Sequence, residues 1–60
     1  MNKGDILTVR GLTDENQLGL VIDKINEEFL VSMFLTNKNI LVDNNGNYIE
    51  EYIKGNKNEL

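Results

Sequence analysis

The sequence predicts a mostly β protein: a small five-stranded barrel with a short helical turn before the last strand. Three observations predict it. Apolar and β-branched residues gather in short runs, and polar punctuation separates them. Residues 29–35, Phe-Leu-Val-Ser-Met-Phe-Leu, are apolar on both faces of a strand, since side chains alternate. Ten Asn residues fall mainly at the breaks between runs, where tolerance of left-handed backbone suits turns.

The elements follow in order. Residues 4–10 alternate, with Leu7 and Val9 on one face and Ile6, Thr8 and Arg10 on the other. Residues 11–17 are polar apart from Leu12 and read as a loop. Residues 18–25 form a β-branched second strand; Gly19 inside it marks a bulge, a sharp bend or a close backbone approach. Asn26 and Glu27 make a short hairpin connection into the strand at 29–35. A turn at 36–39 leads to a fourth strand, Ile40, Leu41 and Val42, which is also apolar on both faces. The tail supports two readings. Asn45-Gly46 is a strong hairpin signal. Asn47 with Glu50 resembles a capping box, and Tyr48, Ile49, Tyr52 and Ile53 would share one side of a helix. The favoured expectation is a helical turn near 45–48 and a closing strand at 49–53. Residues 54–60 are polar and expected to fray.

Bulk composition bounds the function. Sixty residues make one domain, with the barrel over about 4–53. A chain this short is marginal unless disulfides, metal, a partner or good packing support it. Cys and His are absent, which excludes disulfides and zinc sites built from thiolate or imidazole. No apolar run approaches the ~20 residues of a membrane span, and no signal-peptide core follows the start. Cytoplasmic residence is the default expectation, without a membrane partner. The net charge of −4 and the scatter of the six basic residues disfavour nucleic-acid binding. The negative charge serves solubility or meets a basic partner surface. Asn richness hints at AT-rich coding in a low-GC bacterium or its phage.

The order of the pieces resembles a small SH3-like barrel of the KOW-like kind. Gly4-Asp5-Ile6-Leu7-Thr8-Val9 is similar to the opening Gly-Asp-x-Val-x-Val strand of such domains. Gly19 followed by Leu20-Val21-Ile22 is similar to their second strand, and 29–35, a turn and 40–43 to the next two. Short free-standing chains of this pattern resemble small bacteriophage-encoded proteins. The resemblance implies a binding module rather than an enzyme, directed at RNA, ribosomes, RNA polymerase or peptides. Two departures are the missing basic patch and the absence of Trp and of a clear aromatic groove. Fold alone does not transfer function.

Candidate chemistry is sparse. A general base would be Asp, Glu, Lys or Tyr. The adjacent pairs Glu27-Glu28 and Glu50-Glu51 point to opposite faces of a strand, so neither converges on one bond. No catalytic residue or cofactor is expected. Residues 43–47 evoke a calcium loop, but their spacing would put Leu41 at the first ligand position; a turn explains them better and no metal site is expected. Arg10, Lys24 and Lys38 with Phe34 or Tyr48 could make a small stacking surface for nucleic acid. The principal expectation is protein binding. Ile6, Leu30, Phe34 and Leu41 lie opposite the expected core of Leu7, Val9, Val31, Met33 and Val42. Exposed together they form an interface patch. Alternatively the curled barrel, Leu12 and the tail cover most of them. Asp14, Glu15, Glu27 and Glu28 would orient the partner. Edge-strand pairing into a homodimer or assembly subunit is a further route to burial.

Overall fold

The computed structural model describes residues 1–53. The expected frayed segment 54–60 lies outside the described residues. The expected class holds: the chain is mostly β, with five strands in one antiparallel sheet. They are β1 (Ile6–Val9), β2 (Gln17–Ile25), β3 (Glu28–Met33), β4 (Asn39–Val42) and β5 (Tyr48–Glu51), paired in chain order.

The sheet curls until its first and last strands touch. Arg10, just past β1, forms a parallel bridge with Asn47. Its N–H donates to Gly46 O at 3.0 Å, and its carbonyl accepts from Tyr48 N–H at 2.8 Å. The Arg10 guanidinium reinforces the junction by donating to Asn45 O at 2.8 Å. Inside the curl lie Val9, Val21, Phe29, Val31, Met33, Ile40 and Val42, with Leu7, Leu12 and Tyr48 packed against them. Lys24 Nζ sits 5.7 Å from the centre of the Phe29 ring, within cation–π range.

Gly19 marks a close approach. It pairs with Met33 across β2 and β3 and is buried against Val31 and Met33. The irregularity in β2 comes later, between Val21 and Asp23, where Ile22 is the extra residue. Asn26 takes φ 58° in the connection to β3, as an Asn-led turn allows.

Two expectations need correction. No helical turn precedes β5. Residues 43–47 form a tight hairpin: Gly46 N–H donates to Asp43 O and Asp43 N–H to Asn47 O, each at 3.0 Å. Gly46 supplies φ 85°, the conformation that closes such a three-residue loop. The Asp43 carboxylate accepts from the backbone N–H groups of Asn45 (2.9 Å) and Asn47 (3.0 Å). The Asn45-Gly46 hairpin signal therefore outweighs the capping-box pattern, because Asp43 satisfies the amides that a helix start would leave free.

The second correction concerns β3, which ends at Met33 rather than continuing through residue 35. Met33 N–H donates to Lys38 O at 2.8 Å, and Asn37 N–H, at φ 60°, donates back to Met33 O at 3.0 Å. Phe34 and Leu35 thus belong to the loop, and the alternation that would have buried Leu35 stops.

The two hydrogen bonds from Asn47 and Asn45, in that order, hold the Asp43 carboxyl below its ordinary value of 3.8. A lowered folded pKa favours folding above the unfolded value, and that contribution is lost as pH falls through the folded one. Acid titration of unfolding should therefore show a loss of stability beginning near pH 4. In Asp43→Ala that component should be missing and the neutral-pH melting temperature lower. Identical acid limbs in the two proteins would refute the role given to this carboxylate.

Candidate functional site

The outer face of the β1–β2 ladder carries an apolar strip. Register places Ile6 opposite Leu20 and Thr8 opposite Leu18. Leu18 and Leu20 share a face because they are two residues apart. Beyond Leu18 the strip continues into the β3–β4 loop, where Phe34 N–H meets Leu18 O at 3.4 Å. Ile6 is 63% exposed, Leu18 53%, Phe34 51% and Leu35 78%. Leu18, Phe34 and Leu35 line one open depression with Glu15, Asn16 and Gln17.

The expected patch is thereby reshaped. Phe34 and Ile6 are exposed as the patch requires, but Leu30 and Leu41 are buried, at 9% and 7%. Both sit on central strands and face each other across β3 and β4; Asp23 flanks Leu30 and Glu50 flanks Leu41. Cross-strand neighbours on both sides remove them from solvent, whereas Phe34 has left the sheet.

The acidic residues also divide. Glu15 borders the Phe34 depression, and Asp14 is exposed beside it in the same loop. Glu27 lies in the β2–β3 turn and Glu28 opens β3. Phe34 follows the other end of β3, roughly 20 Å away at ~3.3 Å per residue. Glu27 and Glu28 therefore do not flank the patch.

The basic and aromatic candidates do not form one stacking surface. Arg10 is engaged with Asn45, and Lys24 lies over Phe29. Lys38 and Tyr48 do share a second feature, a cavity of about 190 Å³ at the mouth of the curl. Its walls include Leu12, Met33 and Ile40, and Gln17 opens into both this cavity and the Phe34 depression. Leu18, Leu35 and Gln17 were not legible as site residues. Their sequence signals, an apolar end to each run and a polar residue at a strand start, are too common to single them out.

Fold and surface together define a small all-β domain with an apolar, acid-flanked rim. No family model, curated protein or solved structure matches the chain. Among the described residues there is no group of three or more His, Cys, Asp or Glu side chains placed to hold a metal ion, and no helix long and apolar enough to cross a membrane.

Proposed function

We infer that the chain is a non-enzymatic protein-binding module that engages a basic partner protein through Leu18, Phe34, Leu35 and Ile6. The observation that carries this reading is the exposure of Phe34 and Leu35 in a hydrogen-bonded turn beside Glu15 and Asp14. Large apolar side chains held in solvent by their own backbone favour an interface, and the acidic rim favours a positive partner. The mechanism is steric cover of the partner surface. In the KOW-like, phage-protein reading that the sequence suggests, the setting is the cytoplasm and the partner is host machinery.

Two alternatives are less well supported. An RNA-binding role lacks a grouped set of cations among the described residues. A homodimer formed by strand pairing would use an edge strand, β1 or β5, and on β5 Glu50 and Glu51 would bring carboxylates together at the seam.

The test is affinity capture with wild type and with Phe34→Asp combined with Leu35→Ser. Both positions are exposed, so the fold should survive. The wild type should enrich one basic protein, and the variant should bind it about 10- to 100-fold more weakly, the effect of losing an apolar anchor. Salt-sensitive binding to RNA with no change in the variant would sink this reading.

A further inference from the structure

We propose that Asn45–Gly46 is a self-modification site whose reaction the closed sheet holds off. Ten Asn residues are spread along the chain, and Asn45 is the one that precedes a glycine. Glycine carries no side chain to shield its backbone nitrogen. In an open chain that nitrogen attacks the Asn45 side-chain amide. A Gly46 N–Asn45 Cγ bond forms, the Cγ–Nδ2 bond breaks, and ammonia leaves with the proton from Gly46 N. Water then opens the cyclic imide at either carbonyl. One product is an ordinary aspartate. The other is isoaspartate, in which the main chain runs through Cβ and Cγ and is one carbon longer. Nothing is oxidised or reduced, and water is the only co-reactant.

The closed sheet pins the peptide unit that must move. Attack requires this unit to turn its nitrogen toward Cγ and to lose its N–H proton. That N–H donates to Asp43 O at 3.0 Å. At the other end of the same planar unit, Asn45 O accepts from the Arg10 guanidinium at 2.8 Å. On either side, Asn45 N–H donates to the Asp43 carboxylate at 2.9 Å, and Gly46 O accepts from Arg10 N–H at 3.0 Å. Gly46 is buried against β1, where an added Cβ would meet Thr8 O at 3.2 Å and Leu7 Cδ1 at 3.4 Å. A cation on Asn45 O also makes the N–H more acidic, but a nitrogen held against Asp43 O does not reach Cγ. Reaction therefore passes through opening of the hairpin, and its rate is scaled by the open fraction. Asn45 is exposed, so water reaches the imide. The two products differ in consequence. Aspartate keeps the backbone. Isoaspartate lengthens the turn that closes the sheet, so Gly46 O and Tyr48 N–H no longer meet Arg10 together. A chain left open long enough is thus barred from closing again.

None of this rests on reading the chain as a binding module. The test incubates full-length protein at mildly alkaline pH across a urea series. Conversion is read by mass and by mapping isoaspartate in the turn at 43–47. It should rise along the unfolding transition seen by circular dichroism. In buffer it should be at least about tenfold slower than in unfolding urea, equivalent to an opening cost of about 1.4 kcal/mol. Arg10→Ala, compared in buffer while circular dichroism shows it folded, should convert about three- to tenfold faster than wild type, the scale of one hydrogen bond. In unfolding urea the two rates should agree. Asn45→Asp separates charge from backbone: it should refold, whereas purified isoaspartyl protein should not. Equal rates in buffer and in unfolding urea, or faster conversion in the folded chain, would overturn the assignment. So would a folded Arg10→Ala protein converting at the wild-type rate in buffer, or isoaspartyl protein that refolds with wild-type stability.

Discussion

Gly19→Val is expected to destabilise the domain severely, with a loss beyond the roughly 1–3 kcal/mol typical of an overpacked core. A Cβ at Gly19 would fall on Val31 Cγ1, well inside contact distance, with Met33 Sδ at 3.1 Å and Ser32 O at 3.3 Å. Val31 is fully buried and branched at Cβ, and Ser32 O is backbone, so neither neighbour can swing away. Replacing Gly in a strand normally gains roughly 0.5–1 kcal/mol from reduced chain entropy. Overpacking a filled core costs about 1–3 kcal/mol, and Val carries two methyl groups beyond the first added carbon. The steric cost therefore wins. A domain of this length holds only about 3–9 kcal/mol in total, from ~0.05–0.15 per residue. Gly19→Ala should show the smaller cost, a loss of about 1–3 kcal/mol in urea unfolding. Adding Val31→Ala should return part of it by removing the obstructing methyl. A Gly19→Ala protein as stable as wild type would mean that β2 does not approach β3 as closely as described.

Met33→Ala should have the next largest effect. Met33 is fully buried and touches both the core and the mouth cavity. Truncations of this kind cost about 2–5 kcal/mol, rising with the void that remains. Because a cavity already adjoins Met33, the site has little to collapse onto, which places the cost in the upper half of that range. Thermal denaturation followed by circular dichroism should show a broad, low-temperature transition. Leu35→Ala is the informative contrast. Strict alternation from Phe29 would bury Leu35 beside Met33, whereas the turn leaves it 78% exposed. Its truncation should change stability by no more than ~0.5 kcal/mol. A cost matching that of Met33→Ala would show that β3 runs on through residue 35.

Much of the fold was legible because period-2 patterning and turn chemistry are local. Leu7, Val9, Val31, Met33 and Val42 were assigned to the core from alternation alone, and all are buried or packed against it. Asn26 and Asn37 stand at turns with positive φ, where Asn is tolerated. The tail was harder because its two local signals conflict. Asn47 and Glu50 suggest a helix start, while Asn45-Gly46 suggests a hairpin. The closing contact decides between them: Arg10 binds Gly46 O and Tyr48 N–H from 35 or more residues away in sequence.

By itself the sequence determined the class: five short strands, no disulfide, no imidazole or thiolate chemistry, and an excess of apolar side chains on the third and fourth strands. Tertiary structure alone decided which of those side chains meet solvent. Leu30 and Leu41 read the same as Phe34 in a pattern of alternation, yet cross-strand neighbours cover the first two and a turn ejects the third. The mouth cavity is equally a product of the fold, since Leu12, Gln17, Met33, Ile40 and Tyr48 are brought together only when the sheet curls. The reason is physical. Alternation fixes which face a side chain points to, but exposure depends on what the neighbouring strands place beside it.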